Sequence, residues 1–234
     1  MTTSLLSVAD LSHRYSANST ISFASFSLDA GHALLLRGGS GAGKSTLLHL
    51  LCGVLPIQPQ SGTVVLAGQS LQTLTRSERD GLRPRTVGWM PQRQFLMTSL
   101  TVLENVLLPA LLAGRADDAT RKRALALLQS FAIADLADLR PQTLSVGHAA
   151  RASLARALVT QPTLLLADEP TAALDAASSL LVIEQIARYV QSGGAAIIAS
   201  HDPAIHALWD AVSDGKTMLS EIELPALGQS VTPK

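Results

Sequence analysis

The densest chemistry in the chain lies in Gly38-Gly39-Ser40-Gly41-Ala42-Gly43-Lys44-Ser45-Thr46, which fits the pattern G-x-x-x-x-G-K-[ST]. Glycines at this spacing let consecutive backbone N–H groups turn inward around an anion. A helix that follows points its positive end at the same place. In such a loop Lys44 reaches the β- and γ-phosphates of ATP, and the Ser45 hydroxyl ligates Mg²⁺. A flexible glycine–serine turn has the same composition, but the apolar run before the loop and the leucine-rich helix after it favour the phosphate reading. Leu164 to Glu169 is an apolar strand that ends in two carboxylates. Beyond the carboxyl end of a parallel strand, Asp168 would hold Mg²⁺ and Glu169 would polarise an attacking water. His201, in Ser200-His201-Asp202, follows another apolar run and suits a neutral donor to the γ-phosphate. Gln92, after Val87 to Met90, suits a ligand of Mg²⁺ or of the lytic water. Taken alone, each would pass as an ordinary polar residue at a strand end.

These residues need a sheet to bring them together, and the sequence supplies one. His32 to Arg37, Val87 to Met90, Thr163 to Ala167 and Ala195 to Ala199 read as short buried strands bounded by turn residues. Helical patterns between them, beginning with Lys44 to Cys52, point to an α/β fold with a largely parallel sheet. Leu5 to Leu28 and Ser61 to Leu66 read instead as antiparallel strands. From Thr101 to Leu139 the pattern is helical without a strand, so the spacing predicts a helical insertion in the α/β core. Residues 225–234 read as a frayed tail.

Composition narrows the setting. The chain has 234 residues, 47% of them hydrophobic, which suits one domain with a sizeable core rather than disorder. Its 18 Lys and Arg balance 18 Asp and Glu, so there is no global field for nucleic acid. The one cysteine, Cys52, cannot pair within the chain, which fits a reducing cytosol. The apolar part of the longest uncharged stretch, Leu47 to Leu55, is about half of a bilayer span, so a membrane role would need a partner.

In this order the residues resemble the ATP-binding cassettes of ABC transporters, over about Leu5 to Lys216. Gly38 to Thr46 is similar to the Walker A loop and Leu164 to Glu169 to Walker B. Gln92 resembles the Q-loop glutamine, His201 the switch histidine, and Ala172 to Asp175 the D-loop. Tyr15 matches the aromatic that stacks on adenine. Leu144-Ser145-Val146-Gly147-His148, with Arg151 and Ala155 to Leu158 after it, resembles the signature motif of the family. The resemblance implies a P-loop (RecA-like) α/β core with an N-terminal antiparallel β subdomain and a helical subdomain at about 95–150, all in one cassette over 1–224. It further implies ATP and Mg²⁺ as ligands and hydrolysis by Glu169, His201 and Gln92. Ser45, Gln92 and Asp168 would stand around the metal. In the ATP-bound state it implies a homodimer in which Ser145 and Gly147 meet the γ-phosphate on the other subunit, with Asp175 beside them. The remaining partner would be a separate transmembrane permease that holds the chain at the cytosolic face of the membrane, with no nucleic acid involved.

Gln94 to Gly114 resembles the lipoprotein-releasing, macrolide-export and antimicrobial-peptide-export branch, which implies export. One departure stands out. The usual signature is Leu-Ser-Gly-Gly-Gln, and here Val146 replaces the first glycine and His148 the glutamine. That change suggests a non-hydrolytic regulator as one alternative. The intact pair Glu169 and His201 speaks for an active ATPase. A soluble cassette acting on nucleic acid is a second alternative. The single uninterrupted cassette and the balanced charge speak against it.

Overall fold

Five parallel strands form the central sheet, and all the candidate catalytic groups stand at one end of it. The computed structural model describes residues 4–16, 19–213 and 217–224; the tail at 225–234 lies outside the described residues. In chain order the elements are β1 (Leu6–Ala9), β2 (Ser12–Ser16), β3 (Ser19–Ser22), β4 (Phe26–Leu28), β5 (Ala33–Arg37), α1 (Lys44–Leu51), β6 (Thr63–Leu66), β7 (Gln69–Ser70), α2 (Arg76–Thr86), β8 (Val87–Met90), α3 (Val102–Leu112) and α4 (Asp118–Ser130). Then follow α5 (Val146–Leu158), β9 (Leu164–Asp168), α6 (Ala176–Gln191), β10 (Ala195–Ala199), α7 (Ile205–Val212) and β11 (Leu219–Glu223).

The central sheet has the order β11-β5-β10-β9-β8. Its inner strands β5, β10 and β9 are apolar runs without alternation, as strands covered on both faces must be. One buried cluster packs α3 to α7 on one face, and a second packs α1 and the antiparallel strands on the other. A separate antiparallel sheet, β4-β1-β6-β7, and the hairpin β2-β3 make up the N-terminal β subdomain. The four strands expected from sequence are all present in the parallel sheet. The structure adds β11, an edge strand outside the sequence expectation, paired with β5 from Leu219↔Ala33 to Glu223↔Arg37.

The insertion is helical as expected. Its helices start where short polar side chains can receive free N–H groups. Thr101 and Glu104 form a reciprocal capping box on α3, and Asp117 caps α4. The sequence reading closes this subdomain near residue 150, whereas α5 continues to Leu158 and packs on β8 as well as α3. One helix therefore runs from the insertion into the core. Among the described residues no helix is long and apolar enough to cross a membrane.

Candidate nucleotide site

Strand register levels the ends of the sheet. Ala199 is paired with both Leu36 and Asp168, and Met90 with Ala167. The segments that leave these strands therefore surround one space, a cavity of about 440 Å³. It is lined by residues 39–46, by Asp168, Glu169, Gln92 and His201, and by Tyr15 and Ile21 from the β subdomain. Gly38 stands just outside, with its carbonyl turned to Lys44.

The loop is shaped by what its glycines lack. Gly43 caps α1 in a left-handed conformation (φ 92°), with no side chain bonded to the first turn. A Cβ there would come within 1.9 Å of Ile21 Cδ1, so the β subdomain seats a side chain against the bare backbone. The helix thus presents free N–H groups to the cavity. Lys44 is buried, and its Nζ donates to the carbonyls of Gly38 (2.7 Å) and Gly39 (3.4 Å).

Glu169 is held on all sides. Lys44 Nζ lies 3.4 Å and His201 Nδ1 2.8 Å from its Oε1. Its Oε2 accepts from Ser200 Oγ at 3.1 Å and from the His201 backbone N–H at 3.3 Å. The backbone of Glu169 is itself left-handed (φ 48°), which turns the residue off the end of β9. Next to it, Asp168 is buried with Oδ1 lacking any hydrogen-bond partner. Burial pushes its carboxyl above the ordinary range, against a smaller pull from the Ser45 hydroxyl. A buried carboxylate oxygen without a donor is costly unless a cation meets it. Ser45 and Asp168 therefore fit a hard divalent ion with oxygen ligands, which agrees with Mg²⁺. Tyr15 is half exposed at the far side. Its hydroxyl bonds to Thr46 Oγ1, and the edge of its ring system meets His13 at 4.7 Å between centroids. Sequence reasoning missed Ser200 as a support of Glu169 and Ile21 as a wall. Ser200 stands in the quoted run with His201, but nothing in the sequence says which way its hydroxyl points.

Ser145, Gly147 and Asp175 do not line this cavity. Ser145 caps α5, accepting from the His148 N–H at 3.2 Å, and Val146 is exposed beside it. Asp175 caps α6 through Ser178, and this bonding holds its carboxyl below the ordinary range. The two helix starts touch: a Cβ on Gly147 would lie 2.5 Å from Ser178 Oγ. Arg151 is buried beneath them and donates to the carbonyls of Gly147 (3.3 Å) and Phe131 (2.9 Å).

Residues 21–172 match the family described as ABC transporter. The chain is 41% identical to the lipoprotein-releasing system ATP-binding protein LolD of Paramagnetospirillum magneticum, over 81% of this chain and 83% of that protein. It is 38% identical to the macrolide export ATP-binding/permease protein MacB of Burkholderia pseudomallei over 88% of this chain, which spans only 32% of that larger protein. The fold superposes on the dimeric post-hydrolysis structure of the ATP-binding cassette MJ0796 bound to ADP and Pi with a TM-score of 0.79, at 25% identity, covering 96% of this chain and 97% of that one. The chain belongs to the ABC transporter family, as one of its ATP-binding, ATP-hydrolysing cassettes.

Proposed function

We propose that two copies of this chain bind two ATP molecules head to tail and, by hydrolysing them, drive a separate transmembrane permease at the cytosolic face of the membrane. The cargo class we favour is a lipoprotein, lipid or peptide moved outward; outward movement is supported by the relatives, of which LolD is named for lipoprotein release and MacB for macrolide export. Within each site the N–H groups of Gly41, Gly43, Lys44 and Ser45 and the ammonium of Lys44 receive the phosphates, while the Ala42 N–H closes the loop on the Gly39 carbonyl. Ser45, Asp168 and Gln92 would hold Mg²⁺, which supplies charge neutralisation on the β- and γ-phosphate oxygens. Glu169 takes a proton from water as the water oxygen bonds to the γ-phosphorus and the bond to the ADP oxygen breaks. Ser200 and the His201 backbone fix the angle of that carboxylate, and the His201 ring stands ready to donate to the phosphate.

Ser145 and Gly147 serve the other subunit's ATP, because they stand away from their own cavity. Asp175 organises that same edge. The observation that carries this reading is the meeting of Lys44, the orphaned oxygen of Asp168 and the braced Glu169 in one cavity. The test is phosphate release by the chain together with the membrane protein that co-purifies with it. Turnover dependent on Mg²⁺ and lost in Glu169→Gln is expected. Equal turnover in that variant would overturn the assignment.

A further inference from the structure

We propose that Arg156 is a positioning residue for Gln92, holding the segment after β8 to the helix that carries Ser145. The inference rests on the proposed role of Gln92 at the nucleotide.

The observations concern a short piece of chain. Gln92 lines the cavity, two residues beyond the end of β8 at Met90. Arg156 lies on α5, eleven residues beyond the Ser145 cap. Its Nη2 donates to the Gln94 carbonyl at 2.6 Å and its Nη1 to the Phe95 carbonyl at 3.0 Å. Extended backbone turns successive carbonyls to opposite sides. At Phe95 the backbone is left-handed instead (φ 38°), which brings both carbonyls to the guanidinium. A bulky residue adopts that conformation only when its surroundings enforce it. Phe95 meanwhile is 71% exposed, so its own packing does not enforce the turn. Among the described residues no carboxylate pairs with Arg156, and Ser153 Oγ at 3.4 Å is its other hydrogen-bond partner. The cation is spent on these carbonyls, and the planar fork of arginine suits two adjacent acceptors where lysine offers a single point.

The clamp has a geometric consequence. Gln92 sits between two fixed points, Met90 in the sheet and the Gln94 carbonyl on α5. Without Arg156 the next hydrogen-bonded anchor is Met97, whose N–H and carbonyl are both taken by the buried Asn105 side chain, and before it only the side chain of Leu96 packs on the core. The tether of Gln92 would then run to Met97, and its amide would sample positions away from the metal and the lytic water. Misplacement of a contributing group by about 1 Å can cost up to two orders of magnitude in rate. Conversely, a displacement of Gln92 by nucleotide is passed to α5, and so to Ser145, through two hydrogen bonds.

The test uses the full chain, with turnover read in its complex with the membrane partner. Arg156→Met should lower turnover about tenfold and raise the Mg²⁺ needed for half-maximal rate, while ATP affinity without Mg²⁺ changes less than about twofold. Arg156→Lys should fall between. The double variant Arg156→Met with Gln92→Ala should be no slower than Gln92→Ala, because the two act through one group. Independently of turnover, amide exchange over 92–96 should quicken at least tenfold in Arg156→Met, with exchange in β9 and β10 unchanged as the check on folding. Unchanged exchange over 92–96, or losses that multiply in the double variant, would overturn the proposal. If Gln92→Ala itself leaves turnover and Mg²⁺ requirement intact, the role of Gln92 is wrong. The positioning role then falls with it, even where exchange quickens.

Discussion

The ammonium of Lys44 and the carboxylate of Glu169 face each other at 3.4 Å, both buried, across the floor of one cavity. Each is also tied to something else, Lys44 to the carbonyls of its own loop and Glu169 to Ser200 and His201. Phosphate arriving at Lys44 therefore brings negative charge beside Glu169. Glu169→Gln removes that repulsion along with the proposed base. Hydrolysis should fall at least about a hundredfold, while ATP affinity, measured by calorimetry, should hold or rise.

The same variant tests assembly. With ATP and Mg²⁺ it should shift from monomer to dimer in light scattering, and with ADP it should not. Adding Ser145→Arg puts a bulky charge at the edge proposed to serve the partner, so the double variant should return to monomer with little change in ATP affinity. A dimer that ignores Ser145→Arg would place the signature segment elsewhere.

Lys44→Ala takes away the buried ammonium proposed to meet the phosphates and leaves the Gly38 and Gly39 carbonyls without their donor. ATP binding should weaken sharply and turnover vanish, with the circular dichroism spectrum unchanged. Normal turnover would refute the phosphate-loop assignment.

Tyr15 should act through its ring. Base–aromatic stacking is worth about 1–3 kcal/mol, so Tyr15→Ala should weaken ATP binding about tenfold or more and Tyr15→Trp should restore much of it. Tyr15→Phe breaks only the bond to Thr46 and should cost less than Tyr15→Ala. Equal affinities for the Ala and Trp variants would mean that adenine rests on another surface.

Gly147→Ala should destabilise the chain by about 1–3 kcal/mol, the usual cost of overpacking, because its Cβ would collide with Ser178 Oγ at 2.5 Å. Denaturant titration of Gly147→Ala with Ser178→Gly should recover part of the loss. An unchanged midpoint in the single variant would show that the Ser178 hydroxyl turns aside or the two helix starts separate at no cost.

Acid should loosen the helical subdomain early. Hydrogen bonds to Thr101 hold the Glu104 carboxyl below its ordinary 4.5, and those to Thr120 hold Asp117 below 3.8. A depressed carboxyl contributes stability that is present above the unfolded value and is lost as pH falls through the folded one. Unfolding midpoints should therefore drop as pH falls below about 4.5, and Thr101→Ala should flatten part of that slope.

Much of the site was legible in advance because it depends on residue type. A glycine-rich run before Lys44 and an apolar strand ending in two acids have few other uses in combination, and both stand where they were expected. The parallel strands were legible for a similar reason, since strands covered on both faces read as unbroken apolar runs. What escaped lacks such marks. β11 reads Leu-Ser-Glu-Ile-Glu, an edge strand with no fully buried residue. α2 is a charged stretch with Pro84 inside it and only Thr86 buried, so it shows no apolar stripe. The supports of Glu169 and the grip of Arg156 on two carbonyls depend on where a side chain points after folding, which no pattern of types records.

The contact between Ile21 and the bare backbone of Gly43 bears on how this chain can drift. Gly43 is constrained twice, by its left-handed backbone and by the neighbour that fills its missing side chain. Ile21 is constrained by its volume and by its buried place in β3 at the cavity wall, but not by a special backbone angle. A smaller residue at 21 would leave the loop intact, yet it would not free Gly43 to change, because a Cβ would still be strained at that backbone angle. Substitution across this contact is therefore one-directional: among descendants of this sequence, position 21 should wander through Val, Leu and Ala while position 43 stays glycine.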